Sequence, residues 1–241
     1  VHTTVAFGLV AGVLMTGVGV ALSPQILRWM DTPESVMRES VTYLQIYFAG
    51  SLGFVMYNVL VGILQAVGDS RHPLYYLIVS SVINLVLDLL FITGFHTGVG
   101  GAAVATVISQ IVSALLCFWQ LLRTKESYGL KIRKIRFDKG ILVQIIKIGL
   151  PSGVQNSIIA FANVIVQSNI NAFGEMAMAG YGAYTKVEGF GFLPINSFTM
   201  ALTTFVGQNL GAKQEERTKK GARFGILAAV ILAELIGVVV F

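Results

Sequence analysis

Apolar runs broken by short polar segments divide the chain into seven stretches: residues 4–30, 41–67, 74–95, 99–122, 148–173, 176–206 and 224–241. An α-helix rises about 1.5 Å per residue, so about 20 apolar residues cross a hydrocarbon layer about 30 Å thick. Each stretch therefore predicts a membrane-spanning helix, tilted where it exceeds that length, with the last the shortest. As core helices of a water-soluble domain, seven such runs would leave too little polar surface to keep the protein dissolved.

Polar residues inside the stretches fall on faces. Ser80, Asn84 and Asp88 are spaced four apart in the third stretch and form one stripe. Thr106, Gln110 and Ser113 form another in the fourth. Ser152, Asn156, Asn163, Gln167 and Asn171 follow steps of four or seven in the fifth, with Gln155 beside them. Polar stripes can glue helices together, and small residues such as Gly8 and Gly12 mark packing positions. Stripes that run through most of a span point instead to a water-accessible cavity. Asp88 stands out, because a carboxylate at bilayer depth costs roughly 2.5–3.5 kcal/mol on insertion scales. A chain that tolerates this cost uses the group to bind an ion, carry a proton or contact a substrate, or satisfies it from a neighbouring helix.

The sixth stretch is a second polar region, Tyr181-Gly182-Ala183-Tyr184-Thr185-Lys186-Val187-Glu188-Gly189-Phe190-Gly191. Lys186 and Glu188 are two residues apart, about 200° around a helix, so they cannot pair with each other. Gly189, Gly191 and Pro194 are expected to weaken the helix just beyond them, and broken helices line binding sites in transporters. Glu234 is a further acid, in the last stretch.

Composition agrees: 55% of residues are hydrophobic and 12% charged, with a mean hydropathy of +0.75. The basic residues set an orientation. Arg71 lies in the segment 68–73. Arg123, Lys125, Lys131, Arg133, Lys134, Arg136 and Lys139 lie in 123–139, and Lys213, Arg217, Lys219, Lys220 and Arg223 in 208–223. Seven spans put all three segments on one side, against Arg28, Arg38, Asp31, Glu34, Glu39 and Glu175 on the other. The positive-inside rule makes the basic side cytoplasmic. Those residues are thereby explained as topology determinants touching anionic lipid heads, and no nucleic acid partner is needed.

The segment 123–140 is the longest connection and the expected boundary between two bundles. From Phe137 to Ile148 the pattern fits an amphipathic helix on the inner surface, entering the next span near Pro151. Phe7-Gly8-Leu9-Val10-Ala11-Gly12 resembles Phe224-Gly225-Ile226-Leu227-Ala228-Ala229, and both follow an entry from the cytoplasmic side. Two related halves are the expectation, with about twelve spans in the intact protein and this sequence a fragment of it.

Other patterns exclude chemistry. Cys117 is the single cysteine, and His2, His72 and His96 show no metal-ligand spacing. Gly98-Val99-Gly100-Gly101 follows no strand and has no phosphate-binding lysine, so it reads as a turn and close-packing site. No nucleophile–base arrangement suggests an enzyme.

Three groups of residues carry a family resemblance. They are Gln65-Ala66-Val67-Gly68-Asp69-Ser70-Arg71-His72-Pro73; Asn84 and Asp88 followed by Gly98-Val99-Gly100-Gly101-Ala102-Ala103-Val104-Ala105-Thr106; and Glu188-Gly189-Phe190, Leu193-Pro194 and Val206-Gly207-Gln208-Asn209-Leu210-Gly211-Ala212. Together they resemble spans three to nine of a MATE (multidrug and toxic compound extrusion) transporter, over essentially the whole chain.

The resemblance implies an all-α integral membrane protein of the cell membrane, with seven of twelve helices in two six-helix bundles around a central cavity. Residues 1–122 would belong to the amino-terminal lobe (spans three to six), 123–147 to a cytoplasmic linker with its amphipathic helix, and 148–241 to the carboxy-terminal lobe (spans seven to nine). It implies export of small organic, often cationic, compounds in exchange for protons or sodium ions, by a protein that is monomeric at full length and uses no other cofactor. One branch of the family has a cation site in its amino-terminal lobe. Asp88, Asn84 and Thr106 match that site, whose further acid belongs to a first span not in this sequence. Another branch has a glutamate on span seven; the matching position here is apolar, near Ile159, which favours the DinF-like branch over the NorM-like one. Glu188, Lys186, Tyr184, Gln155, Asn156, Asn163, Gln167 and Gln110 are the expected cavity-lining residues.

Rival readings are a lipid-linked oligosaccharide flippase of the wider superfamily and a seven-helix receptor or retinal protein with Lys186 as Schiff base. The first calls for a cavity rich in Arg and Lys, and here only Lys186 lies deep in a span.

Overall fold

The computed structural model describes residues 1–29, 34–171 and 173–240. Asp31 and the stretch ends Met30 and Phe241 lie outside the described residues, as do the side chains of Asn171 and Glu175. All described elements are helical, and they fall into two compact units, Val1–Ile145 and Ile146–Phe241.

The first unit begins with α1 (His2–Trp29), α2 (Glu34–Ala49) and α3 (Ser51–Ala66). It continues with α4 (Arg71–Leu89), which runs into a π-turn (Leu90–Gly94), and α5 (Gly98–Arg123). The second stretch of the sequence, expected as one helix, is a pair: α2 and α3 meet at a 44° bend. The bend sits at Gly50, against the Val107 side chain of α5, where any larger residue would collide with it. With α2 and α3 taken as one bent span the chain has seven candidate membrane crossings, which leaves the three basic segments on one side.

α1 packs against α2 and α3 through its small residues. A Cβ on Gly12 would lie 2.7 Å from Leu52 Cδ1 and 3.0 Å from Leu52 Cα, so the two backbones touch. Pro24 has no N–H, which leaves the carbonyl of Val20 without its helical donor. Gln45 of α2 supplies one: its amide donates to Val20 O at 3.5 Å. In lipid such a released carbonyl has no water to turn to, so a donor from the adjacent helix keeps the proline tolerable.

The apolar core of this unit, including Val5, Leu60, Leu64, Cys117 and Leu121, also takes in Leu130 of the segment after α5. The Leu130 N–H donates to the Leu121 carbonyl at 2.8 Å, folding that segment back along the inner end of the unit. His96 (φ 51°) and Gly98 (φ 61°) make the outer turn between α4 and α5, and Gly101 lies against Phe91 and Thr97. The glycine run is thus a turn and packing site, as its sequence context suggested.

α6 (Lys139–Asn171) begins in the first unit and continues in the second, followed by α7 (Glu175–Gly211) and α8 (Glu215–Val240). Two expectations are corrected here. The surface helix anticipated over Phe137–Ile148 is not separate, because α6 runs through Pro151 without a break. α7 likewise continues through Gly189, Gly191 and Pro194 for 37 residues, about 55 Å. A proline removes one helical hydrogen bond, whereas ending the helix would release several backbone groups into lipid; continuity is the cheaper outcome. α8 packs on α7 at Gly221 against Phe205 and at Gly225 against Leu202. Asn209 turns its amide back to the Phe205 carbonyl at 2.7 Å, while its own carbonyl accepts from Gln214 N–H. The Gly207–Gly211 motif therefore closes the inner end of α7.

Candidate functional site

The buried side of α4 is its polar side. Ser80 is buried and Asn84 and Asp88 are half-buried, while Leu85 and Val86 between them are 60% and 56% exposed. An inverted helix of this kind, polar inward and apolar outward, is expected where lipid is the solvent. α4 packs directly on α5, whose partly buried face carries Thr106, Gln110 and Ser113.

The helices run antiparallel with matched ends: Tyr76 Oη donates to Gln120 Oε1 at 3.4 Å near the inner end. Counting along each helix from its inner end, Asp88 and Thr106 both lie about 26 Å up, and Asn84 and Gln110 about 20 Å. Thr16 lies about 21 Å along α1 from its own inner end.

These groups share an electrostatic property. Asp88 Oδ1, Asn84 Nδ2, Gln110 Oε1, Ser113 Oγ and Thr16 Oγ1 are buried and have no hydrogen-bond partner among the described residues. Buried polar atoms are normally paired, because each unpaired one costs about 1–3 kcal/mol. Five in one unit, with Asp88 and Asn84 on α4 and Gln110 and Ser113 on the helix packed against it, point to something other than helix–helix adhesion. Thr106 differs: its hydroxyl donates to the Ala102 carbonyl at 3.0 Å, which leaves only its oxygen lone pairs to offer. No direct bond joins Asp88 to Asn84 or Thr106 among the described residues.

The donor set is one carboxylate with amide and hydroxyl oxygens. That suits a proton or a hard monovalent cation, and among the described residues no group of three His, Cys, Asp or Glu could hold a metal of the zinc type. The π-turn begins two residues after Asp88, and such turns commonly mark functional positions in helices. Thr16 was missed by the sequence reading; its one signal was a lone hydroxyl in the apolar middle of α1.

In the second unit the cavity candidates separate. Glu188 accepts a hydrogen bond from Tyr184 Oη at 2.9 Å, one helical turn away. Tyr181 stacks on Tyr184 with ring centroids 5.9 Å apart, so two aromatic rings and a carboxylate share one face of α7. The i, i+4 spacing of Tyr184 and Glu188 was legible in the sequence, but their pairing was not drawn from it. Lys186 is exposed on another face and forms no ion pair among the described residues. Gln155, Asn156, Asn163 and Gln167 all lie on the exposed surface of α6.

The fold matches solved transporters. A MATE crystal structure in the bent conformation superposes with a TM-score of 0.86 at 26% identity, covering 95% of this chain and 51% of that one. The probable multidrug resistance protein YoeA of Bacillus subtilis is 31% identical over the full chain, which covers 54% of YoeA. The probable multidrug resistance protein NorM of Thermotoga maritima is 25% identical over 99% of the chain and 52% of its own length. The chain thus spans about half the length of the relatives it matches. The family model MatE matches residues 1–90 and again residues 151–241, one segment in each unit, as two related halves would. These matches and the apolar, multi-pass helices make this a cell-membrane protein. With the family model covering most of the sequence, the chain belongs to the MATE family.

Proposed function

We propose that this chain forms about half of a secondary active multidrug efflux transporter. In this reading the complete protein exports small organic, often cationic, compounds in exchange for protons or sodium ions by alternating access, and acts as a monomer. The observation that carries the reading is the unpartnered Asp88 carboxylate oxygen, buried on the same packed pair of helices, α4 and α5, as the unpartnered polar atoms of Asn84 and Gln110.

Asp88 is the exchanging group. Ionised, it holds a sodium ion with the amide oxygens of Asn84 and Gln110 and the lone pairs of Thr106; protonated, it is neutral and its neighbours rearrange. Differential binding of the coupling ion to two conformations is what lets ion flow drive an alternating transition. The apolar Ile159 and the intact Asp88, Asn84 and Thr106 support the DinF-like branch. Residues 1–122 then serve the amino-terminal lobe, 123–147 the linker and 148–241 the carboxy-terminal lobe.

In the second unit Glu188, held by Tyr184 and flanked by Tyr181, is the acid an organic cation would meet, with the rings offering cation–π contact. Lys186, Gln155, Asn156, Asn163 and Gln167 are exposed polar groups that would line the substrate cavity of the complete transporter from other helix faces.

The test is efflux by the full-length protein in vesicles, with sodium and proton gradients imposed separately. Export of a fluorescent organic cation is expected to respond to one gradient or both. A response to neither would overturn the proposal. In the same vesicles Glu188→Gln is expected to raise the half-saturating concentration of cationic substrates several-fold and to leave neutral substrates unchanged; equal effects on both would remove Glu188 from substrate recognition.

A further inference from the structure

At the inner end of the first unit, His2, Thr3, Arg133, Lys134, Arg136 and Asp138 line a cleft of about 320 Å³. Its basic wall is held in place rather than loosely draped. Thr3 Oγ1 donates to the Arg136 carbonyl and accepts from the Asp138 N–H, both at 3.2 Å. The Lys131 N–H donates to His2 Nε2 at 3.1 Å. An imidazole accepting at Nε2 carries its proton on Nδ1, so His2 is itself a donor there. Leu130 anchors the near end of the segment in the apolar core.

The cleft carries a net positive charge, three cations against one acid. Arg133, Lys134 and Arg136 form no ion pair among the described residues. Asp138 is the one acid in the lining, and its Oδ1 is occupied by the Ile141 N–H at 2.9 Å, where it caps α6. Two large apolar side chains interrupt the cations: Ile132 is 60% and Phe137 49% exposed. The cleft lies where α1 begins, α5 ends and α6 begins, the level that the positive-inside rule assigns to the cytoplasmic headgroups.

We propose that this cleft binds the phosphate headgroup of an anionic phospholipid of the inner leaflet. The guanidinium groups of Arg133 and Arg136 grip the phosphate, with the Lys134 ammonium and the His2 Nδ1–H as further donors. Ile132 and Phe137 reach into the acyl region beneath. A free phosphate or nucleotide would meet the same cations but would gain nothing from the two exposed apolar side chains, which is why the lipid is favoured. A bound headgroup would hold the start of α1 to the basic segment that leads into α6, all within the first unit.

The test uses the full-length protein in nanodiscs of phosphatidylcholine doped with phosphatidylglycerol, with native mass spectrometry counting retained lipids. The double variant Arg133→Gln/Arg136→Gln is expected to bind phosphatidylglycerol about thirtyfold more weakly, the effect of losing two cations at an anionic surface. Lys219→Gln, which removes a cytoplasmic cation outside the cleft, is expected to bind it as the wild type does. The tie to Thr3 uses the Arg136 backbone carbonyl, so the double variant keeps that contact. An unchanged melting temperature in pure phosphatidylcholine confirms that it folds. Equal phosphatidylglycerol retention by wild type and double variant, or an equal loss in Lys219→Gln, would overturn the proposal. So would displacement of the lipid by millimolar inorganic phosphate, which would make the cleft a soluble-phosphate site.

Discussion

Asp88→Asn in the full-length protein should abolish ion-driven efflux while leaving the fold intact. Asparagine keeps the shape and the polar oxygen of the side chain but can neither carry a negative charge nor take up a proton. The ion-binding step is therefore removed without creating a cavity. The loss can be sized: moving one charge through 100 mV supplies about 2.3 kcal/mol, roughly a fiftyfold substrate gradient per ion. Vesicles carrying the variant should lose that gradient and equilibrate to the level of vesicles without an imposed driving force. Stability should change little, because Asp88 Oδ1 has no protein partner whose loss would leave a second group exposed. Wild-type ion-driven efflux by Asp88→Asn would sink the assignment of this residue. Thr106→Val should have a weaker effect, because the threonine hydroxyl proton is already committed to Ala102.

Gly12→Leu is expected to produce the largest loss of stability in the first unit. At this position a Cβ meets not only the Leu52 side chain but Leu52 Cα, 3.0 Å away, and a backbone atom cannot rotate aside. Overpacking of this kind costs about 1–3 kcal/mol where neighbours can yield, and here the α1–α3 contact would have to open instead. Gly17 lies on the same helix with nothing within 4 Å of a Cβ. Gly17→Ala should therefore be neutral or slightly stabilising, since alanine is the better helix former. Thermal unfolding of the full-length protein in detergent, followed by loss of monomer on size exclusion, separates the two. Equal melting temperatures for Gly12→Leu and wild type would show that the close contact contributes nothing to stability.

These two residues differ in how they announce themselves. A charge inside an apolar run is visible without any structure, and its four-residue spacing to Asn84 and Ser80 fixes which side of α4 it occupies. Gly12 is one of 26 glycines, and only the approach of Leu52 tells it from Gly17. Thr16 is intermediate: its polarity could be read, but its burial without a partner depends on the helices around it.

The sequence by itself determined the membrane-spanning helices and the polar stripes and set the expected orientation, because each follows from a local rule. Hydrophobic length decides a span, basic residues decide the cytoplasmic side, and a period near four decides a face. Tertiary structure decided the bend between α2 and α3, where Gly50 yields to Val107, and the rescue of the Val20 carbonyl by Gln45. It also kept α6 and α7 whole through their prolines, and joined His2 and Thr3 to a basic segment more than a hundred residues away. The reason is common to all of these. A helix in lipid must satisfy every backbone polar group and fill every contact, and the donor or side chain that does so often comes from a distant part of the chain.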